Sequence, residues 1–288
     1  MELSWCAVET LKCVDTWIGM INSNINGSVR TGYKTSKPNF GGGTTNIQRL
    51  PEESIIGIQF PEQEVKLKST SVDFSQGSII NSTEETHFAI QGKGFFLVQA
   101  LDGTDLGGCS GSDTIIGTFS GSGVGQKPAY LTRDGEFHWG ILPNDPNKNI
   151  ILLTNDGLAV LSDHGDSNNV YGPIGKTNWD NDSSVNPVYY RVRPSVVQTS
   201  VSDDQLTFSK YGSTVFESKG TITTLVEGAA GKMSSDTSTL VEQSLETSNS
   251  NISSSVPELS LSQKFFQAVS KVLQIGLQNT DTLLNLIR

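Results

Sequence analysis

The sequence predicts an α+β protein, mostly β: an antiparallel β-rich central domain carried between N- and C-terminal helices that are packed together as a coiled-coil-like rod. Three observations lead there. Apolar residues recur at helical spacing at the two ends only. Short apolar runs broken by Asp-Gly pairs fill the middle. Charged residues are 17% of the chain, below the roughly 25% of an average soluble protein, while glycines number 29. Turn-rich β-structure suits that mixture, and 35% hydrophobic residues suffice for a core.

The first element spans Leu3, Ala7, Leu11, Val14, Ile18, Ile21 and Ile25, a single stripe at spacings of three and four. Asn24, Asn26 and Gly27 supply its stop. Residues 1–40 are therefore read as the first helix with its exit segment, and 41–75 as a β-extended connector. Residues 76–233 read as the β-rich outer domain, with strands expected at Phe88–Gln91, Phe95–Ala100, Ala129–Thr132, Ile150–Thr154, Leu158–Leu161, Leu206–Phe208 and Thr214–Phe216. Strands are also expected at Ile55–Phe60, Glu64–Leu67 and Val188–Arg193. Asp102-Gly103, Asp134-Gly135 and Asp156-Gly157 read as hairpin turns. The Gly/Ser/Thr-rich stretch 107–125 reads as a mobile insert. The Ser/Thr/Asn-rich stretch 234–257 is too sparse in apolar residues to bury much, and reads as an extended connector. Pro257 and Glu258 then open a second helix over 258–288, with a stripe at Leu259, Phe266, Val269, Leu273, Leu277, Leu284 and Ile287. With no other helix to cover them, the two stripes are expected to meet each other and to need further copies or partners. The fourteen stripe residues are the candidate assembly interface.

Composition and motifs weigh against other classes. The net charge of −10 falls within 41–239, and an acidic middle repels phosphate backbones, so nucleic acid is not an expected partner. Gly92-Lys93-Gly94 has the look of a phosphate cradle, but a β-prone Phe-Phe-Leu-Val run follows it where a helix is required. A turn between strands is the expectation. The Gly clusters at 121–127 and 228–232 lack the required Ser/Thr or glycine spacing. His87, His138 and His164 are not at metal-ligand spacing, and Asp163, Asp166, Asn168, Asp180 and Asp182 read as solvated turn residues. No catalytic, cofactor-binding or metal residue is therefore nominated, no cofactor or small-molecule substrate is expected, and the chain is not read as an enzyme. Cys6 and Cys13 read as small buried hydrophobes. The N-terminus lacks the basic region of a cleaved secretory signal.

Five stretches, in order, carry a family resemblance. Ile21–Lys34 reads INSNINGSVRTGYK, close to ISNNIANVNTTGYK. The stretch 77–98 contains GSIINST and FAIQGKGFFLV, and 130–137 reads YLTRDGEF. Residues 245–252 read LETSNSNI, and 262–274 read SQKFFQAVSKVLQ. These resemble the signatures of the flagellar rod and hook protein family, the rod proteins most of all. The chain departs from the pattern at Asn26–Arg30, at Lys264-Phe265-Phe266 and in the insert. The resemblance implies a helical rod domain built from both termini with the β-rich domain facing outward. It implies a structural subunit of the bacterial basal-body rod, exported without a cleaved signal, whose partners are copies of itself and related rod or hook subunits. The alternative is a divergent member serving as a linker or scaffold in a non-flagellar complex, bound in the cytoplasm to subunits of that complex.

Overall fold

In the computed structural model residues 2–43, 46–48, 58–60, 64–101, 129–141, 150–163, 171–179, 193–199, 202, 206–218, 222–226 and 238–287 are described. The elements, in chain order, are α1 (Glu2–Gly27), β1 (Ser36–Gly42), β2 (Asn46–Gln48), β3 (Ile58–Phe60), β4 (Val65–Val72), β5 (Ile79–Asn81), β6 (Phe88–Gly92), β7 (Phe95–Ala100), β8 (Ala129–Thr132), β9 (Phe137–Ile141), β10 (Ile150–Thr154), β11 (Leu158–Asp163), β12 (Tyr171–Pro173), α2 (Lys176–Trp179), β13 (Val196–Thr199), β14 (Thr207–Ser209), β15 (Gly212–Glu217), β16 (Ile222–Val226), β17 (Ser238–Glu242), β18 (Ser244–Glu246) and α3 (Ile252–Ile287). The protein is mixed α+β, and its terminal helices pack together. It divides into two units: residues 1–28, 35–73 and 250–288 form the first, and 29–34 with 74–249 the second.

In the first unit α1 and α3 run antiparallel. Ser250, just before α3, donates its hydroxyl to the Asn24 carbonyl (2.8 Å), and Trp17 Nε1 donates to Glu258 Oε1 (2.9 Å). Asn24 ends α1 by pairing with the chain that enters β1. Its amide donates to the Ser36 carbonyl (2.8 Å) and its Oδ1 accepts from Ser36 N (3.0 Å). β1 and β4 form an antiparallel ribbon with a register shift after Asn39, so that Lys68 is the extra residue. Thr10 ties the ribbon to α1, accepting from Val65 N (3.3 Å) while donating to the Cys6 carbonyl (2.9 Å). Trp17 stacks edge-on against Phe40 at 5.2 Å. Cys13 is buried and Cys6 half-buried. Burial pushes the Cys13 thiol up from its ordinary pKa, opposed by a hydrogen bond from the Leu67 backbone.

α3 begins at Ile252, six residues before the start read from Pro257 and Glu258. Asn251 sets that start: its Oδ1 accepts from Ser253 N (2.9 Å), and its carbonyl accepts from Ser254 N and Ser255 N. Pro257 lies in the second turn, where its missing N–H forfeits the bond to the Ser253 carbonyl without ending the helix.

The second unit is built on one antiparallel sheet of ten described strands, with the path β14-β15-β8-β7-β11-β10-β9, β12 beside β11, and β13 joining β7 to β16. β7 is buried along its whole length, as its unbroken apolar run anticipates. Phe96, Val98 and Ala100 enter a core with Phe88, Phe137, Leu152 and Val160, and Phe95 stacks with Phe74 near Phe216.

Local turn chemistry misleads in two places. Gly92-Lys93-Gly94 does link two strands, yet they are not a hairpin: β6 pairs with β17, whereas β7 pairs with β8, β11 and β13. Both glycines lie at positive φ (105° and 117°), which lets the chain pass from one sheet to the other. The Gly92 N–H is taken by Gln76 Oε1 (3.0 Å), so it is not presented to an anion. Asp134-Gly135 also joins strands that do not pair with each other, β8 and β9. Gly135 is required because its carbonyl accepts from Phe88 N (3.1 Å) and a Cβ would strike the Phe88 carbonyl. Asp156-Gly157 is the hairpin expected: Gly157 has φ 78° and donates to the Thr154 carbonyl (2.9 Å) between β10 and β11.

Within 234–257, the stretch read as an extended connector, β17 and β18 are ladder strands. β17 pairs with β6 over five residues, and β18 with β5 over three. Gln243, at φ 51°, turns the chain between them. Cross-strand partners supply the burial that the strands' own composition lacks. The expected hairpin at 102–103, the insert 107–125, most of Val188–Arg193, His164 and the acidic turn residues other than Asp163 lie outside the described residues.

Candidate assembly surface on the terminal helices

α1 places Ala7, Val14 and Ile21 in the buried interior, seven residues apart, with Leu11, Ile18 and Ile25 half-buried beside them. Leu3 lies in the first turn of α1. On α3, Ser255 and Ser262 are buried and Leu259, Val269 and Leu273 half-buried. In the antiparallel register set by the two tying bonds, Ile21, Val14 and Ala7 stand level with Ser255, Ser262 and Val269. The stripe Ser255-Leu259-Ser262-Phe266-Val269-Leu273-Gly276 keeps alternate spacings of four and three. Small residues on α3 thus meet the apolar stripe of α1, a pairing invisible to a search for apolar residues alone.

Phe266, Leu277 and Leu284 remain exposed, and Ile287 is the last residue of α3. The same register puts the start of α1 level with about residue 273 of α3. Beyond it α3 continues for roughly 20 Å at 1.5 Å per residue. Leu283, Leu284 and Leu286 in this overhang are 62%, 66% and 83% exposed.

A second stripe was not read from the sequence. Leu261, Phe265, Ala268, Val272 and Ile275 repeat the same four-three spacing one residue out of phase, about 100° around the helix from the first stripe. All five are exposed, Leu261 by 60% and Val272 by 50%. With the overhang, α3 presents a long run of exposed large apolar residues, and exposed apolar surface of this kind marks an interaction site. Lys264 and Lys271 each precede a residue of this stripe and border it on the side away from α1.

The residues of the motifs themselves meet elsewhere, inside the second unit. Lys34 and Glu246 form a fully buried ion pair at 2.7 Å. Arg133 binds the other Glu246 oxygen (3.1 Å) and donates to the carbonyls of Gly92 (2.6 Å) and Ile90 (3.3 Å). Thr31 donates to Asp134 Oδ1 (2.6 Å). The TGYK, AIxGxGFF, TRDG and LE stretches therefore converge on one charge cluster, each supplying a partner for another.

No protein-family model matches the chain, and no curated protein matches it.

Asp134 has a measurable consequence. Burial pushes its carboxyl up to about 6, opposed by the Thr31 hydroxyl and the Glu136 amide and reinforced by the Glu136 charge. A raised carboxyl pKa means the folded state binds the proton more tightly. The stabilisation is full below the ordinary value of 3.8 and is lost as pH rises through about 6. Asp134→Asn removes that slope. Urea unfolding at pH 4.5 and 7.5 is expected to show the variant gaining about 2 kcal/mol relative to wild type at the higher pH. A constant difference at the two pH values would contradict the assignment.

Among the described residues no group of His, Cys, Asp and Glu could hold a metal ion, and no helix is long and apolar enough to cross a membrane.

Proposed function

We propose that this chain is a structural subunit of the bacterial flagellar basal-body rod, self-assembling through its terminal helices, with copies of itself and related rod or hook subunits as partners. The carrying observation is that α3 bears two heptad-spaced stripes while α1 meets only one. A helix with two such seams is built for a bundle of more than two. In this reading the α1–α3 pair is the coiled-coil-like rod domain, and the second stripe takes a helix from the next subunit. An antiparallel contact of two copies through the second stripe would bring Lys264 and Lys271 against their own copies, at a like-charge cost. A parallel contact avoids this, and one staggered along the helix axis is heterologous, the geometry that propagates into rings or filaments. The overhang of α3 leaves apolar surface for such a stagger. The order and spacing of the five motif stretches support the family, and with it placement in the basal body.

The test is light scattering and electron microscopy of the purified chain over rising concentration. Ordered rings or filaments are expected. A monomer at every concentration would overturn the rod reading and leave the linker or scaffold reading, in which the second stripe receives a different protein's helix.

A further inference from the structure

Two short segments of the β-rich unit lie next to passages of the chain between the units: Val29–Lys34, here the incoming crossing, which follows residue 28 and precedes residue 35 of the first unit, and Glu246–Asn249, the outgoing crossing, which precedes residue 250. The two crossings are bonded to each other by backbone. Gly32 N donates to the Glu246 carbonyl (2.8 Å), and Asn249 N donates to the Tyr33 carbonyl (3.3 Å). Two acceptors are also shared between them. The Glu246 carboxylate, on the outgoing crossing, takes Lys34 Nζ (2.7 Å) from the incoming one, together with Gly77 N (2.9 Å) and Arg133 (3.1 Å). The Ser75 carbonyl takes Lys34 Nζ (2.9 Å) and the Asn249 amide (3.1 Å). Thr31 and Tyr33 add further holds: Thr31 is bonded to Asp134, and Tyr33 is buried.

We propose that Val29–Lys34 and Glu246–Asn249 form a single latch closed around the Glu246 carboxylate, so that releasing one crossing releases the other. Without Lys34, the buried Glu246 carboxylate keeps only Arg133 and Gly77 N, and an under-compensated charge is more easily drawn out to water. Its departure carries the outgoing crossing with it and frees Gly77 N. Tension or disorder arriving on one chain is therefore shared with the other rather than peeling a single strand. This goes beyond the rod reading and does not depend on it, since every bond lies within one subunit.

Hydrogen exchange on the full chain tests it. Gly32 sits at φ 64°, and a Cβ there would run into the Arg133–Asp134 backbone, so Gly32→Ala prises the incoming crossing away from that backbone. The readout is the amides of Gly77 and Thr247, which bond Glu246 Oε1 and the Ser78 carbonyl; Thr247 shares its peptide group with the Glu246 carbonyl that Gly32 N bonds, so Gly77, which makes no bond to the incoming crossing, decides the outcome. Both are expected to exchange about 100-fold faster, while the β7–β8 ladder amides keep wild-type protection. Faster exchange confined to 29–34 would overturn the latch. So would a uniform rise that includes β7 and β8. Thr31→Val, which removes only the hydroxyl, is the second variant should Gly32→Ala fail to fold. It is judged by the same comparison, with a smaller acceleration at Gly77 and Thr247 expected and no change there counting against the latch.

Discussion

Lys34→Met lowers the stability of the β-rich unit by about 3–5 kcal/mol in urea unfolding of the full chain, the usual cost of removing one partner of a buried ion pair. Lys34 and Glu246 have side chains 0% and 1% exposed, so water does not replace Lys34 at the carboxylate where it sits. Arg133 and Gly77 N still hold Glu246, which places the loss towards the lower end of that range. The control is Arg30→Met. The Arg30–Asp156 pair lies in the same unit at 3.5 Å, but Arg30 is 39% exposed, and the change is expected to cost less than about 1 kcal/mol. The fluorescence of Trp139 and Trp179, which stack at 5.4 Å within this unit, contributes to the signal of its unfolding. Equal effects of the two substitutions would mean that burial is not what gives Lys34 its weight.

Val272→Asp is expected to leave the folded chain within about 0.5 kcal/mol of wild type, because Val272 is half exposed and on the stripe that α1 does not meet. Its effect falls on association. A carboxylate buried unpaired in a helix seam costs several kcal/mol per contact, enough to weaken self-association at least 100-fold. Leu273→Asp, one residue further on, lies on the stripe that faces α1 and is half-buried. It is expected to lower the thermal stability of the helix pair as well. Sedimentation velocity and helical circular dichroism, measured on both variants, separate the two outcomes. Assembly by Val272→Asp at wild-type concentration would remove the second stripe from the interface.

The stripe of α1 was legible because seven apolar residues at spacings of three and four need only a 3.6-residue turn to line up. β7 was legible because six consecutive residues of strand-prone type lack helical spacing, and the Asp156-Gly157 hairpin because its glycine takes a left-handed conformation. The second stripe of α3 lay in the same letters. It was missed because Leu261, Phe265, Val272 and Ile275 interleave with the first stripe, and only the position of α1 shows which one is covered.

Other features had no local signal. Gly92-Lys93-Gly94 makes the same turn whether its strands pair with each other or with strangers. β17 and β18 are too polar to announce themselves, and they are strands because β6 and β5 offer ladders. Above all, nothing near Lys34 marks it as a buried residue. Its partner Glu246 is 212 positions away, and Arg133 lies 113 positions from Glu246. Periodicity and turn chemistry act over a few residues, and by themselves they determined the two terminal helices, the strands β6, β7, β8, β10, β11, β14 and β15, and one hairpin of this protein. Which sheet each strand joined, which helix face was covered and which charges were buried together were decided only in the tertiary structure, because a buried charge is tolerable only where distant parts of the chain bring it a partner.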